Sequence, residues 1–99
     1  MLPSWLQQSF TLSSEQVTEL ILYSTSACHL CEQAEVLLLN TVPHYRFILQ
    51  KVDIAMDDAL VEQYGHSIPV LVKVTKNATR IELFWPFDEN KIIHFLSIV

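Results

Sequence analysis

Between Glu19 and Asn40 the hydrophobic pattern changes period, and two cysteines mark the point of change. Glu19-Leu20-Ile21-Leu22-Tyr23-Ser24 is a short, nearly continuous apolar run. Such a run suits a central strand of a parallel sheet, buried on both faces. Thr25-Ser26-Ala27 then interrupts it with small and polar side chains. From Cys28 onward Leu30, Ala34, Leu37 and Leu38 recur at helical spacing, with Glu32 and Glu35 on other faces. The helix is expected to end near Asn40, before Pro43. The next β-rich stretch, from Tyr45 to Ile54, offers Phe47, Leu49 and Val52 to a core. A strand, a helix and a second strand in this order make a parallel pair with a right-handed crossover.

The remaining pattern closes the sheet. Asp57 or Asp58 opens a short helix through Leu60, Val61 and Tyr64, and Gly65 is expected at its C-terminal cap with a positive φ. Val70 to Val74 reads as a strand, Lys76-Asn77-Ala78-Thr79 as a turn with Asn77 left-handed, and Arg80 to Trp85 as the antiparallel return. Asp88 caps a last helix bearing Ile92, Ile93, Phe95 and Leu96. The order is β-α-β-α-β-β-α, an α/β sandwich with a mixed four-stranded sheet and flanking helices. Residues 1–18 are read as an N-terminal extension with scattered apolar side chains, Trp5, Leu6 and Phe10, of which Trp5 and Phe10 are expected to fold back on a domain spanning 19–99, a docking segment for a partner being the alternative. Ninety-nine residues, 51% of them hydrophobic, suffice for one core and exclude a disordered chain.

Charge narrows the range of partners. The net charge is −5, and the first Lys or Arg is Arg46. A nucleic-acid surface needs clustered cations to neutralise phosphates, and an anionic membrane needs them for docking, so neither partner is expected. No apolar stretch is long enough to span a bilayer, and the N-terminal residues carry neither a secretory nor a mitochondrial pattern. A cytoplasmic location and a monomeric state are expected. In a reducing compartment two cysteines point to catalysis or metal binding rather than to a structural staple.

Cys28-His29-Leu30-Cys31 sits where strand passes into helix. Free N–H groups and the helix dipole favour an anion at that point, and the thiolate is the nucleophilic form of cysteine. Cys31, one turn on, is placed to attack a mixed disulfide formed by Cys28. Cys28 is therefore read as the attacking thiol and Cys31 as the resolving one. A protonated His29 would favour the thiolate, and Glu32 would oppose it. Other readings are half a zinc site, an iron–sulfur site shared between two chains, and a pair of inert thiols. Zinc takes four ligands, and His44, His66 and His94 stand apart from one another, so no metal ligand is assigned.

Leu22-Tyr23-Ser24 leading to Cys28-His29-Leu30-Cys31-Glu32, then Val52-Asp53-Ile54, Ile68-Pro69-Val70 and Trp85-Pro86-Phe87-Asp88, resembles the glutaredoxin-like family of the thioredoxin superfamily with a CHLC motif. The resemblance covers roughly residues 19–98. It implies a thioredoxin fold and thiol–disulfide oxidoreductase activity on a disulfide-bearing protein or a small thiol. It also implies a cis Ile68–Pro69 bond facing the dithiol, in a substrate groove formed by His29, Ile68, Pro69, Trp85 and Asp88. Against ordinary glutaredoxins, Thr25 stands where a glutathione-binding Lys is usual, and Trp85-Pro86-Phe87-Asp88 replaces a Gly-Gly-x-Asp. No cofactor is expected, and glutathione is left open only as a co-substrate. Against thioredoxins, the position six before Cys28 is Leu22 rather than a buried acid. The alternative function is a non-catalytic binding module of the same fold.

Overall fold

The computed structural model describes residues 18–42 and 46–98. The expected fold-back of Trp5 and Phe10 lies outside the described residues, whereas the first helix ends at Thr41, close to the expected Asn40. In chain order the elements are β1 (Thr18–Ser24), α1 (His29–Thr41), β2 (Phe47–Asp53), a 3₁₀ turn (Ile54–Met56), α2 (Asp58–Tyr64), β3 (Val70–Val74), β4 (Arg80–Phe84) and α3 (Glu89–Ser97). The sheet order is β2-β1-β3-β4. β1 pairs parallel with β2 and antiparallel with β3, and β4 returns antiparallel along β3. This is the expected β-α-β-α-β-β-α order around a mixed sheet.

Side-chain alternation divides the sheet between two cores. Leu20, Leu22 and Leu71 point to the face covered by α1 and α3, where they meet Ala34, Leu38, Ile92, Phe95 and Leu96. Tyr23, Val70 and Val72 point to the opposite face, against Ile54 and Tyr64. Each large apolar side chain buried in this way contributes about 1.5–3 kcal/mol. Phe47 and Leu49 join the first core and Val52 the second, which places all three as expected.

The buried stripe of α1 runs through Cys31, Ala34, Leu38 and Thr41. Those spacings of three, four and three place the stripe's centre between Ala34 and Leu38, with Cys31 at one margin. Leu30, expected in the core, falls on the flank and is exposed, and Leu37 is half-buried.

Two turn expectations are corrected. Gly65 caps α2 with φ −52°, on the right-handed side, and donates its N–H to the Val61 carbonyl at 2.7 Å. Glycine is needed there for space, because a Cβ would run into that carbonyl oxygen. In the β3–β4 turn the left-handed residue is Ala78 (φ 62°), not Asn77. Thr75 Oγ1 accepts the Thr79 N–H at 3.2 Å and closes that turn. The acidic caps appear where expected. Asp57 accepts from the Ala59 N–H at 2.9 Å and Asp88 from the Lys91 N–H at 2.8 Å.

Lys73 is charged yet lies on the inward face of β3. By strand alternation it shares the α3 face with Leu71, where it is 3% exposed. Its ammonium donates to the carbonyls of Phe95 (3.0 Å), Leu96 (3.1 Å) and Ile98, and it lies 5.6 Å from the Phe47 ring centre. A cation thereby satisfies the orphan carbonyls at the C-terminus of α3. Burial pushes Lys73 below the usual lysine value. The folded chain thus releases this proton at a lower pH than the unfolded chain, so stability from this group rises with pH across the window between the two values. Lys73→Met leaves the helix carbonyls without a donor and is expected to lower unfolding stability by about 1–3 kcal/mol. In urea unfolding followed by circular dichroism, the deficit of the variant should widen as pH rises through the range just below that of an ordinary lysine.

Candidate active site

β1 ends at Ser24, and the chain must reverse direction within four residues to start α1. Ala27 accomplishes this with φ 55°, a left-handed conformation that is uncommon and costly for a residue with a Cβ. Cys28 then takes an extended conformation (φ −111°, ψ 106°) and forms the N-cap of α1. Its Sγ accepts the Cys31 N–H at 3.2 Å, and its carbonyl accepts the Glu32 N–H at 3.0 Å. The sulfur thus occupies the place that a capping Ser or Asp oxygen takes at other helices, at the positive end of the helix dipole. Cys31 lies one turn in, 3% exposed, with its Cα 5.2 Å from that of Cys28, and the two sulfurs are joined in a disulfide.

His29 lies outside this geometry. Its side chain is 92% exposed, and its Nδ1 lies 3.4 Å from Glu32 Oε2. An exposed pair at this separation contributes little energy. The Ile68–Pro69 bond is cis, and so is Trp85–Pro86, which the sequence reading did not anticipate. Val70 is in register with Tyr23 on one side and Phe84 on the other. Pro69 and Trp85 therefore lie at the end of the sheet where β1 hands over to the cysteine turn. Trp85 is half-buried and packs edge-on against Phe87 at 5.0 Å between ring centres. Asp88 is engaged as the cap of α3.

Two of the five residues expected to line one groove also border other surface depressions. His29 opens onto a groove along α1 with Gln33, Val36 and Asn40. Asp88 opens onto another along α3 with Leu83, His94 and Ile98. A third cleft, of about 290 Å³, opens on Cys31 itself and was missed by the sequence reading. Its walls are Ser24 to Ala27, Glu32 and Glu35 from α1, and Lys51 and Asp53 from β2. Lys51 Nζ reaches across it to both oxygens of Glu35, at 3.3 and 3.1 Å. The available signal was the spacing of Cys31 and Glu35, four apart on one helix, opposite the polar end of β2. Among the described residues, no cluster of three or more His, Cys, Asp or Glu side chains is arranged to hold a metal.

Comparisons with known proteins agree with this geometry. A family model for a glutaredoxin-like domain (DUF836) matches residues 19–97. Among solved structures, protein XcR50 from X. campestris is 35% identical over 79% of this chain and 95% of its own, with a TM-score of 0.64. Protein Ne2328 from Nitrosomonas europaea is 25% identical over 81% of this chain and 92% of its own, with a TM-score of 0.65. The germline-specific thioredoxin Deadhead from Drosophila melanogaster is 18% identical, with a TM-score of 0.62 over 93% of this chain and 89% of its own. That likeness concerns the fold alone, which is the thioredoxin fold. A search of curated proteins found no match.

The unequal burial of the two sulfurs has a measurable consequence. In the reduced protein a brief pulse of iodoacetamide should label Cys28 and spare Cys31, read by peptide mass mapping. Equal labelling of both would contradict the placement of Cys31 beneath the helix surface.

Proposed function

The chain belongs to the glutaredoxin-like domain family, and from that premise we propose that it is a thiol–disulfide oxidoreductase working through Cys28 and Cys31. The observation that carries this reading is the N-cap position of Cys28, with its sulfur on the Cys31 N–H and the second sulfur within bonding reach. A thiolate at Cys28 is stabilised by the helix N-terminus and attacks one sulfur of a substrate disulfide. A Cys28–substrate disulfide forms and one substrate thiolate leaves. Cys31 then attacks the Cys28 sulfur, closing the internal disulfide and releasing the second substrate thiol. The substrate gains two electrons and the dithiol loses them. Both sulfurs come from one helical turn, so a single chain suffices.

The substrate class is a protein disulfide or a small-molecule disulfide. Glutathione is not required by this scheme. Its usual docking cation is replaced by Thr25, and the carboxylates of Glu32, Glu35 and Asp53 beside the dithiol disfavour an anionic tripeptide.

Equilibrating the protein in a series of glutathione redox buffers and weighing it intact tests the proposal. Reversible interconversion of dithiol and disulfide is expected at roughly −180 to −270 mV, the range of catalytic dithiols. Cys28→Ser should abolish turnover of a model disulfide, and Cys31→Ser should accumulate a mixed disulfide. Thiols that stay reduced throughout, or full turnover by both single variants, would leave a non-catalytic binding module as the better reading.

A further inference from the structure

The exchange scheme leaves one proton without a destination. Cys31 is 3% exposed and attacks only after losing its proton. β1 offers no carboxylate to take it: Leu20 and Leu22 are its contributions to the core under α1, and it reaches the cleft only through the Ser24 hydroxyl. The cleft of about 290 Å³ that opens on Cys31 is large enough for several waters, and three carboxylates line it.

Those carboxylates are not equivalent. Glu32 turns outward to His29, and its side chain is 69% exposed. Asp53 accepts the Ala55 N–H at 2.9 Å and caps the 3₁₀ turn. Glu35 lies one turn beyond Cys31 on the same side of α1, 35% exposed, and is held from the facing strand by Lys51. Its carboxylate is fixed at the cleft by a contact that joins helix to sheet, and that contact serves no core packing.

We propose that Glu35, positioned by Lys51, accepts the Cys31 proton through this cleft when the mixed disulfide is resolved. The proposal rests on the redox reading above. The Cys31 S–H proton passes by way of cleft water to the Glu35 carboxylate. The Cys31 sulfur bonds to the Cys28 sulfur, and the bond from Cys28 to the substrate sulfur breaks. The departing thiolate takes a proton from solvent. When the internal disulfide is reduced again, the same path returns a proton to Cys31. The charged groups facing the cleft are Glu32 and Glu35 from α1 and Lys51 and Asp53 from β2.

The test uses the reduced full chain mixed with one equivalent of 5,5′-dithiobis(2-nitrobenzoate) in a stopped-flow spectrometer. The first release of chromophore reports attack by Cys28, and the second reports resolution by Cys31. Glu35→Gln should slow the second release by about a hundredfold or more, within the span of general acid–base contributions, and flatten its pH profile, while the first release is unchanged. Glu35→Asp should recover part of the rate, and Lys51→Met should lose less than Glu35→Gln. A second release of wild-type rate and pH profile in Glu35→Gln overturns the assignment. So does an equal slowing of both releases without recovery by Glu35→Asp, which marks a structural role. A selective loss in Glu32→Gln or Asp53→Asn, with Glu35→Gln unaffected, also overturns it. Absence of any release from the wild-type chain would instead sink the redox reading itself.

Discussion

The junction between β1 and α1 is the constraint on which the site depends. A buried strand must turn into a helix that packs back over it, and only Thr25 to Cys28 separate the two. Ala27 absorbs the reversal in a left-handed conformation, and Cys28 then stops the strand geometry and caps the helix with its sulfur. Because the cap lies at the end of an interior strand and the next turn lies over the sheet, one sulfur is accessible and the other is covered. The chemical division of labour between the cysteines therefore follows from the geometry of a helix start rather than from any special side chain near them.

The two faces of the sheet are held by different means. Under α1 and α3 the contacts are aliphatic and aromatic, with one cation, Lys73, closing the end of α3. Under α2 the core is smaller and includes a stacked pair, Tyr23 and Tyr64, with ring centres 4.8 Å apart. Arg80 donates to both phenol oxygens, at 3.2 and 3.3 Å, and the Tyr64 hydroxyl donates to Glu82. Burial and the bond to Glu82 hold the Tyr64 phenol above its ordinary value, so this network keeps its donors across the physiological range. The polar network runs along the α2 face of the sheet, from Arg80 at the β3–β4 turn to Tyr23 near the end of β1.

Much of this was legible in the residues. The change of period at Cys28 marked the strand–helix passage, and the acids at 57–58 and at Asp88 marked two helix starts. The cis bond before Pro69 followed from the family resemblance. What was hidden depended on pairings distant in sequence or on residues with no conformational signature. Glu35 and Lys51 are 16 positions apart and meet only because β2 lies parallel beside β1. Lys73 shares the inward face of Leu71 by strand alternation, and the carbonyls that satisfy its charge there belong to a helix end 22 or more positions later. Alanine gives no sign of a left-handed turn, so Ala27 and Ala78 could not be singled out.

The anchoring of α3 by Lys73 also determines how far the folding unit extends. The last carbonyl that the ammonium engages belongs to Ile98, beyond the final helical turn. Trimming the chain back to the visible helix would strip an acceptor from a cation that has no route to solvent, and the loosened helix begins at Asp88, beside Trp85 and the cysteine end of the sheet. The terminal peptide groups thus belong to the architecture of the reactive end, although they lie at the opposite pole of the molecule.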